Sequence, residues 1–222
     1  MYRIYIALIE LLAASVFIIP IFAIYNKFFF HSGKRTVLYI LFGFYITAIL
    51  GLIGFPSITS LTIEFSVNLI PFIDMVSDFV NACLNILLFV PFGLFLPILW
   101  SKFRSIKGTA LMGLITSCVV EVSQIFTFRT TDINDLITNT VGTVIGYYTA
   151  QCLTGKFTKH ILLDSQDRDF YIICGSVGLI MFLLQPFVSS FIWYMANDTI
   201  NLNFTHRKEV NYVRSRNQGT RF

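Results

Sequence analysis

Asp132, Asp135, Asn139, Gly142 and Gly146 recur at steps of three, four, three and four. On a helix over 131–146 that spacing puts all five on one face. The face starts with carboxylates, continues with an amide and ends without side chains. Just upstream, Glu121 and Gln124 lie three apart at the end of another apolar run, with Arg129 a little beyond. A carboxylate there must be protonated, paired or facing a wet cavity. Its partner is expected to be Arg129, about two helical turns on, or Asn85 across a helix interface. Carboxylates, amides and one guanidinium together can bind phosphate or carboxylate and accept from amines or hydroxyls. The plainer alternatives stay open. Asp132 and Asp135 suit the positive end of a helix, Asn81 and Asn85 suit contacts between helices, and Gly142-x-x-x-Gly146 suits close helix packing.

Such groups are costly in the chain that carries them. Of its 222 residues 55% are hydrophobic and only 13% are charged, with a mean hydropathy of +0.73. A soluble domain carries about 25% charged residues, so the composition is that of an integral membrane protein. An ionisable group costs about 2.5–3.5 kcal/mol at the centre of a membrane helix on insertion scales. Several side by side imply use. The net charge of +4 falls in short loops and the C-terminal tail, where orientation in the membrane and lipid headgroups account for it. No nucleic-acid motif is present. Cys83, Cys118, Cys152 and Cys174 stand apart in apolar runs, without CxxC spacing, and read as small core residues. His31, His160 and His206 lack partners at metal-ligand spacing, so neither a metal nor another cofactor is expected.

Six apolar runs, 4–25, 36–55, 79–100, 108–128, 133–153 and 170–195, approach the roughly 20 residues needed to cross a bilayer. The first is too long for a signal-peptide core and lacks a cleavage motif, so it is expected to stay as a transmembrane helix. Lys27, Lys34 and Arg35 fill the first loop, Lys102, Arg104 and Lys107 the third, and Lys156, Lys159 and Arg168 the fifth. The second loop has no basic residue and the fourth has only Arg129. This alternation puts the N-terminus outside and loops one, three and five in the cytoplasm. The basic tail breaks the pattern, and Gln185-Pro186 interrupts the last run, which therefore reads as a sixth crossing or a re-entrant hairpin. Strict polar–apolar alternation over 60–69 predicts an extended external segment. The expected fold is an all-α polytopic membrane bundle of about six helices. It divides into residues 1–67, with two helices and the start of the external loop, a core over 68–153, and 154–222, with a cytoplasmic loop, the last helix and the basic tail.

Residues 68–72, Asn85-x-x-x-Phe89-x-Pro91-x-Gly93, Glu121-x-x-Gln124, Arg129, Asp132, Asp135, Asn139, Gly142 and Gly146 together resemble the VanZ-like family of bacterial membrane proteins. The likeness covers roughly 68–153. It implies a multi-pass protein of the bacterial cell membrane associated with low-level resistance to the glycopeptide teicoplanin, and no settled catalytic activity comes with it. The reading that follows is a non-enzymatic envelope protein whose partners are membrane lipids and a lipid-linked cell-wall precursor or glycopeptide. Its ligand-binding set is Asn85, Glu121, Gln124, Arg129, Asp132, Asp135 and Asn139. Two alternatives remain: a membrane enzyme acting on a lipid-linked envelope substrate, with Glu121 as acid or base and Asp132 with Asp135 holding a divalent cation at the phosphate, and a small transporter. Neither a Ser-His or Cys-His nucleophile signature nor an internal repeat favours them.

Overall fold

A computed structural model describes residues 2–63, 66–68, 70–72, 78–127, 130–156 and 162–195. Among these, six long helices follow one another: α1 (Tyr2–Tyr25), α2 (Gly33–Ile53), α3 (Phe79–Leu99), α4 (Ile106–Gln124), α5 (Ile133–Lys156) and α6 (Asp167–Leu179). A π turn, Asn26–Phe30, lengthens α1; another, Ile180–Leu184, carries α6 on as one helical span to Met195. The last apolar run is therefore a single 29-residue span rather than a hairpin. Pro186 follows a π turn whose Phe182 carbonyl accepts from the Ile58 N–H at 3.0 Å, so local rewinding absorbs the break the sequence signals.

Five of these helices are long and apolar enough to cross a membrane, and the fold is an all-α bundle. Their outward surfaces carry exposed Leu12, Leu87, Leu111, Val119 and Phe187, which would form large apolar patches on a soluble protein but suit lipid. The exception is α5, which is long enough but rich in threonine. Thr138, Thr140, Thr143, Thr149 and Thr154 each donate a hydroxyl hydrogen bond to the carbonyl four residues back. The polar sequence thus satisfies itself within the helix, as an apolar setting demands.

Two kinds of packing hold the bundle together. Along the α3–α5 seam backbone meets backbone. A Cβ on Gly142 would overlap the Ile86 carbonyl, one on Gly146 the Val90 carbonyl, and one on Gly93 the Thr143 carbonyl. The close-packing role expected of Gly142 and Gly146 is realised there, against α3. Rings fill the space where α2, the end of α3 and the start of α6 converge. Trp100 stacks on Tyr39 at 6.0 Å and meets Phe42 and Phe170 edge-on at 5.4 and 5.2 Å. Tyr39 donates to the buried Asp169 carboxylate at 2.9 Å, locking the head of α6 to α2.

Three cysteines correct the expectation of core positions. Cys83, Cys118 and Cys152 are exposed on the bundle surface, and Cys174 is half-buried. In lipid an apolar neighbourhood in sequence does not mean the interior, because the surrounding solvent is apolar too.

Candidate functional site

The polar cluster forms where α4 ends and α5 begins. Residues 125–127 turn the chain out of α4; Ser66 to Asn68 of the loop between α2 and α3 then run beside the start of α5. Within that segment β1 (Val67–Asn68) pairs in parallel with β2 (Thr131–Asp132), Val67 opposite Thr131 and Asn68 opposite Asp132. The Thr131 N–H donates to the Ser66 carbonyl at 3.0 Å and the Thr62 N–H to the Phe126 carbonyl at 3.2 Å. The expected extended segment therefore lies against the α4–α5 connection; its residues 64, 65 and 69 lie outside the described residues.

Glu121 is buried, 4% exposed, about one turn inside the end of α4. Its Oε2 accepts from the backbone N–H of Asp132 at 2.9 Å, and its carbonyl accepts from the Thr131 hydroxyl at 3.0 Å. The carboxylate thus holds the first residues of α5 onto the end of α4, a contact between side chain and backbone where two side chains were expected. Asp132 takes the capping role: Oδ1 accepts from the Asn134 N–H at 2.8 Å, while Oδ2 accepts from the Asn68 amide at 3.3 Å. Asn134, itself buried, accepts from the Phe72 N–H at 2.7 Å. Acidic and amide side chains here stitch the loop, the turn and both helices into one unit.

One helical turn deeper, Asn139 donates from Nδ2 to the Ser117 hydroxyl at 2.9 Å. Asn139 is 3% and Ser117 0% exposed. The other end of the amide, Oδ1, is buried with no hydrogen-bond partner among the described residues. Rotating the amide by half a turn exchanges the two atoms but still leaves one of them unmatched. A polar group left so in an apolar setting costs about 1–3 kcal/mol.

The structure brings Glu121, Asp132 and Asn139 onto the α4–α5 face, with Gln124 buried at the end of α4 and Asp135 half-buried in the first turn of α5. Asn85 is half-buried on α3 and joins none of the cluster's hydrogen bonds among the described residues. Arg129 lies outside the described residues. The sequence reading passed over Ser117, Asn134 and Thr131. Ser117 had a visible signal, standing four before Glu121 and seven before Gln124 on the same helical face. Asn134 and Thr131 had none, since their roles depend on where the loop between α2 and α3 returns. No group of three metal-ligating side chains occurs among the described residues.

This stretch of chain is also where the likeness to known proteins falls. The family model described as VanZ/LLP1 matches residues 42–154. The chain belongs to the VanZ family. Protein VanZ from Enterococcus faecium is 34% identical over 120 residues, covering 54% of this chain and 70% of that protein. No solved structure matches. The match begins earlier than the residues that first carried the resemblance and takes in most of α2, so in this VanZ-family membrane protein it spans α2 to α5. All of α1 and all of α6 fall outside it.

Proposed function

We propose that this protein is a multi-pass protein of the bacterial cell membrane that binds an amphiphilic, cell-wall-related ligand at the outer leaflet and so lowers susceptibility to teicoplanin. The observation that carries this reading is Asn139, a buried amide with one polar atom unmatched among the described residues, one turn below the Glu121 carboxylate. A scaffold alone gains nothing from that atom, whereas a ligand hydroxyl or amide reaching between α4 and α5 would satisfy it. In this reading Glu121, Asp132 and Asp135 accept from ligand amines or hydroxyls. Gln124, Asn139 and Asn85 orient the ligand, and Arg129, assigned from the sequence, meets a phosphate or carboxylate. The basic-loop alternation supports placing this end of the bundle at the outer leaflet, where glycopeptides and the precursors they bind are met.

The test is a set of near-isosteric variants scored for teicoplanin susceptibility in cells and for folded yield. Glu121→Gln keeps an acceptor for the Asp132 N–H, so yield should stay near wild type while protection is lost. Arg129→Gln and Asp135→Asn should behave alike. Yield that falls in step with protection, with both restored in the Glu121→Gln/Arg129→Gln double variant, would reduce the cluster to scaffold. Lipid extracts from cells with and without the protein separate binding from turnover, because a new or missing lipid-linked species would show chemistry instead.

A further inference from the structure

At the opposite, basic end of the bundle a second polar site lies outside everything the Glu121 cluster uses. Pro97, Arg104, Tyr147, Ala150, Gln151 and Leu162 line a cavity of ≈ 190 Å³ between the end of α3, the turn that follows it, the end of α5 and the segment leading into α6. We propose that this cavity is a phosphate-ester site, filled by the headgroup of an anionic phospholipid.

Arg104 carries the argument. Its Nε donates to the Pro97 carbonyl at 3.3 Å and its Nη2 to the Leu163 carbonyl at 2.7 Å. A guanidinium has five N–H donors, so three remain after these two bonds have fixed its plane. Among the described residues it has no carboxylate partner; Asp167, at this same end, pairs with Lys102 at 3.4 Å. The Tyr147 hydroxyl donates to the Arg104 carbonyl at 3.1 Å, and Gln151 Nε2 reaches that hydroxyl at 3.4 Å. The backbone carrying the arginine is thereby tied to α5, and the Gln151 amide keeps a second hydrogen to donate. A held, unneutralised guanidinium beside an amide donor is a fork for phosphate oxygens. Pro97, Ala150 and Leu162 give the same cavity apolar walls, suited to the glycerol and upper acyl carbons of a lipid. Exposed Lys107 adds positive potential at this end of the bundle. The alternation of basic loops puts this end at the cytoplasmic leaflet, where anionic headgroups face basic pockets between helices.

The experiment uses the full chain in nanodiscs of phosphatidylcholine with a minor share of phosphatidylglycerol. Lipid retained after extraction into detergent is counted by native mass spectrometry. Phosphatidylglycerol should be retained in preference to its abundance. Arg104→Gln should weaken that retention by about tenfold or more, the worth of a charge-assisted hydrogen bond. Because Arg104 also braces Leu163, Ala150→Leu serves as a second variant, its added atoms entering the cavity. It should expel the lipid while keeping the wild-type melting temperature in pure phosphatidylcholine. Retention of the two lipids in proportion to abundance, or undiminished retention in Ala150→Leu, would overturn the proposal. A parallel melt with inorganic phosphate separates the sources. No stabilisation is expected, assigning the lipid; stabilisation lost in Arg104→Gln would keep the phosphate site but make the free anion its occupant.

Discussion

Glycine does opposite things on the two sides of this bundle. On α3 and α5, Gly93, Gly142 and Gly146 each lie against a carbonyl of the other helix, so nothing larger fits. On α6, a Cβ at Gly175 or Gly178 would meet nothing within 4 Å among the described residues. The seam between α3 and α5 is set by backbone contact, at a spacing that side chains cannot adjust. Between α2, α3 and α6 the spacing is set by rings such as Tyr39, Phe42, Trp100 and Phe170, which can tilt. Lipid tails are as apolar as leucine, so helices associate in a membrane by fit and by hydrogen bonds rather than by escaping water. The rigid seam carries α5, and α5 carries the polar cluster. The ring-packed side is split by the family match, which takes in Phe42 and Trp100 but leaves out Tyr39 and Phe170, whereas the seam lies wholly within it. The lesson is that fixed geometry is concentrated where the polar groups must be aligned.

The difference can be broken first at the seam. Gly146→Leu should abolish folded protein in membranes, and even Gly142→Ala should lower yield sharply, because each new Cβ lands on a carbonyl. Wild-type yield and melting temperature in either variant would show that the seam yields as the aromatic side does. Trp100→Ala should come next, costing about 3–5 kcal/mol as a buried ring is deleted. It would be read as a lower melting temperature in detergent with α3 and α5 still joined. Tyr39→Phe removes only the hydroxyl bonded to Asp169 and should cost about 1.5–3 kcal/mol. If combining it with Asp169→Asn costs the full sum of the two single changes, that bond does not couple α2 to α6. Smallest, and of opposite sign, Gly175→Ala should stabilise α6 by about 0.5–1 kcal/mol through helix propensity. A loss of stability there would mean that α6 also depends on close approach.

Much of the cluster was legible because capping and face spacing are local. Asp132 caps α5 at the predicted place, and Gly142 and Gly146 pack as their four-residue spacing implies. The bond between Asn139 and Ser117 was not legible, since it depends on how α4 and α5 are rotated about their axes. Nor was the bond from the Asp132 N–H to Glu121, which needs the turn to fold back by a definite amount.

By itself the sequence determined the apolar spans, the alternation of basic loops, the extended stretch before α3 and the polar face of α5. Each follows from hydropathy, charge or periodicity within one segment, and those properties act locally. Tertiary structure alone decided that Gly93 opposes Thr143, that β1 returns to β2, that three cysteines face outward and that Arg104 borders a cavity with Tyr147 and Gln151. These depend on helix rotation and on contacts between distant residues. In water, burial of the apolar face would settle that rotation from the pattern of the sequence. In lipid both faces are apolar, and only close packing and hydrogen bonds choose between them.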